Sequence, residues 1–151
     1  MSVSSYLDIF LAGYKEIPIS KVAIIQILVD FGWTFNDCGM VSYLPIGDDD
    51  RFGWQREDIG IEVLMAVLRE KEKREELIGV AMTWKDTNIG GGFLLKENGV
   101  VSVSLSMNRR LIDDGNAGEK ITDVTWYLIR LLPAFKLGNM MVESFTYDEH
   151  V

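Results

Sequence analysis

The sequence predicts a single α+β domain over residues 1–151, with a mostly antiparallel sheet that includes a three-strand meander and helices packed on one face. Three observations carry this reading. Leu77–Trp84, Gly91–Lys96 and Val100–Met107 alternate sharply between large apolar and small residues, the period of a half-buried strand. Ile61, Leu64, Met65 and Leu68 recur at the spacing of one helical stripe, and Ile121, Val124, Leu128, Leu131 and Leu132 mark another. Finally, no repeat, linker or low-complexity stretch divides the chain, so the elements belong to one core.

Taken in order, Ser5 and Asp8 have the spacing of a capping box and predict a short helix over Ser5–Tyr14. Ser20 can cap a second helix, Lys21–Phe31, with Ile19 placed to pack on Ile24 and Gly32 as its stop. That helix is apolar nearly all round and is expected to be buried. From Trp33 to Ile46, β-branched and aromatic residues interrupted by Asn36, Asp37 and Gly39 predict two short strands around a tight turn. Gly47–Gly53 follows as a loop, then a helix over about Asp58–Glu76. The second half of that helix, Arg69–Glu76, contains no apolar residue and reads as a solvated end supported by Glu70/Arg74 and Lys71/Glu75 pairs.

The meander turns at Lys85–Asn88 and at Asn98-Gly99, a strong hairpin signal. One face of it carries Ile78, Val80, Met82, Trp84, Phe93, Leu95, Val101, Val103, Leu105 and Met107. The other carries Gly79, Ala81, Thr83, Gly92, Ser102, Ser104 and Ser106, a smooth, weakly polar surface. A helix then closes near Pro133–Gly138, Met140–Tyr147 forms a last strand, and Asp148–Val151 is expected to fray. Val63, Leu68, Val103 and Leu131 are expected core positions.

Charge narrows the function. The net charge is −8, and residues 33–58 hold six acids against Arg51 and Arg56, a net −4 and half of the total. Such acidity counts against nucleic-acid binding, which depends on Lys and Arg at phosphates. One cysteine, Cys38, excludes an internal disulfide and a Cys-based zinc site, and it reads as a buried small hydrophobe. The lone His150 lies beside the end of the chain, a poor place for catalysis. No basic region precedes Lys15, and the apolar run Val22–Phe31 is too short to cross a membrane, so the expected location is the cytoplasm. No catalytic residue, metal or cofactor is expected, although paired carboxylates leave a hydrolase open.

The candidate contact surface is built from loops. Asp48, Asp49 and Asp50 stand beside Phe52 and Trp54, and aromatics among charges are the usual make-up of an interface hot spot; the same residues also read as a plain solvated acidic loop, less well as a divalent-ion site because no calcium-loop spacing surrounds them, and Trp54 reads equally as a lid on the core. Asp113 and Asp114 form a second acidic loop, for which Arg109 and Arg110 are the local counterweight. Gly90-Gly91-Gly92 lacks the features of a phosphate loop and instead marks a bulge or a close approach of another chain segment.

With Asp48-Asp49-Asp50-Arg51-Phe52-Gly53-Trp54 and Asp113-Asp114 as its local support, the chain resembles the immunity proteins that bacteria carry against contact-dependent growth inhibition and other polymorphic toxins. The resemblance implies a monomeric, stoichiometric inhibitor that binds one cognate toxin domain, often a basic nuclease. An acidic surface would then mimic phosphate and steer the encounter. A second class, the acidic chaperones of type III secretion, is resembled by the Gly91–Val100 hairpin followed by the Thr122–Leu132 helix. A chaperone should dimerise and bind an unfolded effector segment. Against it, the Asp58–Glu76 helix precedes the meander where that fold expects strands.

Overall fold

A computed structural model of the chain describes residues 4–12, 19–112 and 120–150. The elements run β1 (Ser4–Leu11), α1 (Lys21–Phe31), β2 (Trp33–Thr34), β3 (Val41–Tyr43), β4 (Gln55–Glu57), α2 (Ile61–Lys73), β5 (Ile78–Trp84), β6 (Gly90–Leu95), β7 (Val100–Met107), α3 (Val124–Leu137) and β8 (Val142–His150). All eight strands join one sheet in the order β4-β3-β5-β6-β7-β1-β8, with β2 pairing β5, and every pairing is antiparallel. The fold class is therefore α+β.

The apolar face of the meander meets the helices. Ile78, Val80, Met82, Phe93, Leu95, Val101, Val103 and Leu105 share one buried cluster with Ile25 and Leu28 of α1, Leu64 and Leu68 of α2, and Tyr127, Leu131 and Phe135 of α3. Trp33 sits at its centre, edge-on to Phe93 and Trp84, and its indole N–H donates to the Arg130 carbonyl at 2.8 Å. That bond supplies the partner a buried indole needs.

Local signals placed several elements well. Ser20 accepts from the Ala23 amide at the start of α1, and Gly32, at φ 138°, ends it. Only Ile24, Ile25 and Leu28 of that helix are fully buried, however, so it is a half-covered helix and not one enclosed on all sides. Asp123 caps α3, and Pro133 is accommodated within it, on its exposed side, before Gly138 ends the helix.

The largest correction is at the start. Ser4–Leu11 is a strand, with Leu7, Ile9 and Leu11 buried at period two; Tyr14 lies outside the described residues. The two residues that suggest a capping box act across the sheet instead: Ser5 donates to Glu149 at 3.3 Å and Asp8 accepts from Ser102. Pairing with β7 on one side and β8 on the other satisfies the backbone along this stretch, which a short isolated helix would leave to water. The same pairing extends β8 through Asp148, Glu149 and His150, so the expected fraying is absent there.

Helix α2 starts later than its periodicity suggests. Ile61 and Val63 are 61% and 54% exposed because they lie in its first turn, and the buried stripe is Leu64, Met65, Leu68 and Lys71. Leu68, Val103 and Leu131 are core residues as expected; Val63 is not. Cys38 is exposed, because the Asp37–Met40 hairpin turns at Cys38 and Gly39, both at positive φ. A tight two-residue turn projects its tip into solvent.

The small-residue face is partly covered. Leu44 lies against Gly79, and the Trp54 ring lies 3.5 Å from where a Cβ on Gly92 would sit. Toward Ser104 and Ser106 the face opens, with Tyr6 exposed beside them in the pair Tyr6–Ser104. The triple glycine is both a bulge and a close approach, since the β6–β7 register shifts between Gly90 and Gly92.

Candidate functional site

The Pro45–Trp54 loop connects β3 to β4 and is built around two internal charges. The first is Lys71, fully buried at the end of α2. Its ammonium donates to the carbonyls of Pro45 at 2.7 Å and Asp48 at 2.8 Å and lies 3.6 Å from the Glu76 carboxylate. Burial pushes the Lys71 pKa below its ordinary value, and Glu76, Asp48 and Asp49 oppose that shift by favouring the cation. The expected Lys71/Glu75 surface pair is replaced by this internal clasp, whereas Glu70 and Arg74 do pair, at 3.0 Å.

The second charge is Asp48, only 6% exposed. Its carboxylate accepts from the amides of Arg51, Phe52 and Gly53 at 2.9, 3.1 and 2.7 Å. Burial would raise its pKa, but the amides of Gly53, Arg51 and Phe52, with the charge of Lys71, outweigh that effect and hold it below 3.8. Asp49 accepts from the Leu77 amide at 2.7 Å, and Glu76 accepts from the Gly47 amide at 2.8 Å. Four carboxylate and ammonium groups thus fasten the loop to α2 and to the entry of β5.

What remains outward is smaller than the sequence suggests. Asp48 accepts from the loop's own amides and Asp49 from the Leu77 amide, so a triple reversal of Asp48, Asp49 and Asp50 would disturb the fold as well as the surface. Asp49, although bonded to the Leu77 amide, stays exposed, and Asp50, Arg51, Phe52 and Trp54 face solvent beside it. Phe52 is 51% exposed at φ 54°, an uncommon conformation for a bulky side chain and one held by the amide contacts of Asp48. Trp54, 39% exposed, rests one edge on the Gly92 surface and shows the rest. Asp113 and Asp114 lie outside the described residues.

A second carboxylate centre has no counterpart in the sequence reading. Glu149 accepts from Ser5, from Thr122 and from Tyr147 at 2.7 Å, and Arg109 lies 3.5 Å away. The Thr122 bond first, then those of Tyr147 and Ser5 and the charge of Arg109, lower its pKa against the opposing effect of burial. Arg109 is therefore tied to Glu149 on β8. Strand alternation was the only signal available for this residue.

Both perturbed carboxyls are shifted downward, toward firmer ionisation; a carboxyl that trades protons near neutral pH needs the opposite shift. Among the described residues no group of three or more His, Cys, Asp or Glu side chains could hold a metal ion, and no helix is long and apolar enough to cross a membrane. No protein-family model, curated protein or solved structure matches the chain.

These shifts set an acid limit. Because the folded pKa values of Asp48 and Glu149 lie below their ordinary values of 3.8 and 4.5, their stabilisation is complete above those values and is lost as pH falls through the folded ones. Urea midpoints measured from neutral pH downward should hold until about pH 5 and then decline. The decline should be shallower in Asp48→Asn, which starts from lower stability at neutral pH; an unchanged slope would mean that Asp48 makes no such contribution.

Proposed function

We propose that the chain is an immunity protein, a stoichiometric and non-catalytic inhibitor that binds a cognate bacterial toxin domain through the outward residues of the 48–54 loop. The observation that carries this reading is the fastening of the loop: two exposed aromatics and an acid are held in one geometry by a buried lysine and an inward aspartate. A preformed aromatic anchor loses little freedom on binding and supplies the hot-spot chemistry of a tight interface. The excess of negative charge favours a basic partner, as a nuclease would be, and speeds the encounter.

The test is co-expression with candidate toxin domains, beginning with the C-terminal domain of any exported protein found to be encoded next to this chain. The chain should protect cells from that domain and form a one-to-one complex. Phe52→Ala with Asp50→Lys should weaken the complex by about 2 kcal/mol or more while leaving the thermal midpoint in place, because both side chains are exposed. Full protection by the double variant would remove the loop from the interface. Light scattering on the free protein separates this reading from an acidic secretion chaperone, which acts as a dimer; a monomer at micromolar concentration is expected.

A further inference from the structure

The two edges of the sheet are unlike. At one end β4 is three residues long and carries Arg56 and Glu57, too short and too mixed in charge to pair with much. At the other end β8 runs for nine residues, and among the described residues nothing pairs with its outer side. A long open edge presents a row of free N–H and C=O groups, and proteins ordinarily blunt such edges with charged side chains, prolines, bulges or extreme shortness. β8 has no lysine and no proline. It carries Glu143, Asp148 and Glu149 and no Lys or Arg, and its single register irregularity lies near Glu143, at one end.

The acids decide between occupants. If a second copy paired β8 against β8, the carboxylates of Glu143 and Asp148 from both copies would join one seam, beside the Arg109-paired Glu149; centred on Thr146, for instance, Glu143 would stand opposite Glu149. Like charges directly across an antiparallel pair are destabilising, so the edge repels its own kind. A strand carrying lysine or arginine meets the opposite balance. Phe145, 42% exposed, and Met141, 70% exposed, supply apolar contacts along the same edge, and β8 stands directly beside β1 in a sheet whose core is closed.

We propose that the outer edge of β8 receives an extended, lysine- or arginine-bearing segment of a partner protein as an added antiparallel strand. Backbone pairing holds the segment, and the acids select its charge. This edge is at the opposite end of the strand order from the 48–54 loop, so the proposal stands or falls independently of that loop's role.

The probe is a synthetic peptide of alternating lysine and valine, matched to the nine residues of β8 and titrated into the isotope-labelled protein at low salt. Amides along β8 should shift and gain protection from hydrogen exchange at alternate positions. A twin peptide with methylated backbone nitrogens should lose binding, since it lacks the strand donors. Glu143→Lys with Asp148→Lys should weaken the lysine peptide roughly tenfold and take up the glutamate twin instead. Shifts confined to residues 48–54, equal binding of the methylated twin, or a wild-type dimer protected along β8 would each overturn the proposal. The methylated comparison uses the unaltered protein and is decisive even if the double variant folds poorly.

Discussion

Lys71→Met is expected to cost roughly 3–5 kcal/mol and to release the 45–54 loop, the range found when one partner of a buried charge pair is removed. Methionine fills the stem of the lysine but leaves the carbonyls of Pro45 and Asp48 without their donor and the Glu76 carboxylate without its cation. The urea midpoint should fall, and hydrogen exchange should speed up first at Gly47, whose amide Glu76 holds, and at Arg51 to Gly53, whose amides Asp48 holds. A second readout distinguishes local from global loss: Trp54 emission should move to the red before the core tryptophans report unfolding. If Lys71→Met keeps both midpoint and loop protection, the ammonium is incidental to the loop.

The other large effect is expected in the middle of the sheet. An alanine at Gly91 would bring its Cβ within 1.5 Å of the Ser104 carbonyl oxygen, and one at Gly90 within 1.9 Å of the Met82 oxygen. These neighbours are backbone atoms of adjacent strands and cannot rotate away. Gly91→Ala should therefore destabilise by more than about 4 kcal/mol, beyond the range of ordinary core substitutions. At Gly92 the nearest atoms are the Ser104 hydroxyl and the Trp54 ring at 3.2 and 3.5 Å, so Gly92→Ala should be much milder. Chemical denaturation of the pair measures the contrast; comparable losses at both positions would contradict the bulge geometry.

How much of this was legible depended on how far the deciding partner lies along the chain. The bounds of α1 follow from Ser20 and Gly32, both local, and the meander follows from alternation and from Asn98-Gly99, whose φ angles are 65° and 67°. Strand β1 was misread because Ser5 and Asp8 find their partners at Glu149 and Ser102, invisible to any local pattern. Strand β4 was missed for a similar reason: Gln55-Arg56-Glu57 has no strand character, and its pairing with Val41–Tyr43 gives it one. Lys71 had a usable signal. It continues the Leu64–Leu68 stripe by three residues, which places it on the buried face despite its charge. Asp48 had one too, since aspartate readily accepts from amides a few residues ahead in a turn. Composition identified the loop but not the division of labour within it, with Asp48 buried against the loop amides, Asp49 exposed yet bonded to the Leu77 amide, and Asp50 exposed.

The position of β1 has a consequence for how the chain matures. Its residues Ser4–Leu11 lie between β7 and β8, so a strand synthesised before the other described elements waits for one synthesised after them. Pairs such as Ser4 with His150 close a loop almost as long as the chain, a slow step when contacts are so distant in sequence. Before residues 142–150 emerge from the ribosome, β1 can dock on β7 but keeps an unpaired backbone edge, the kind of edge that makes partly folded chains prone to aggregate. Strand β8 thus completes the pairing that β1 begins.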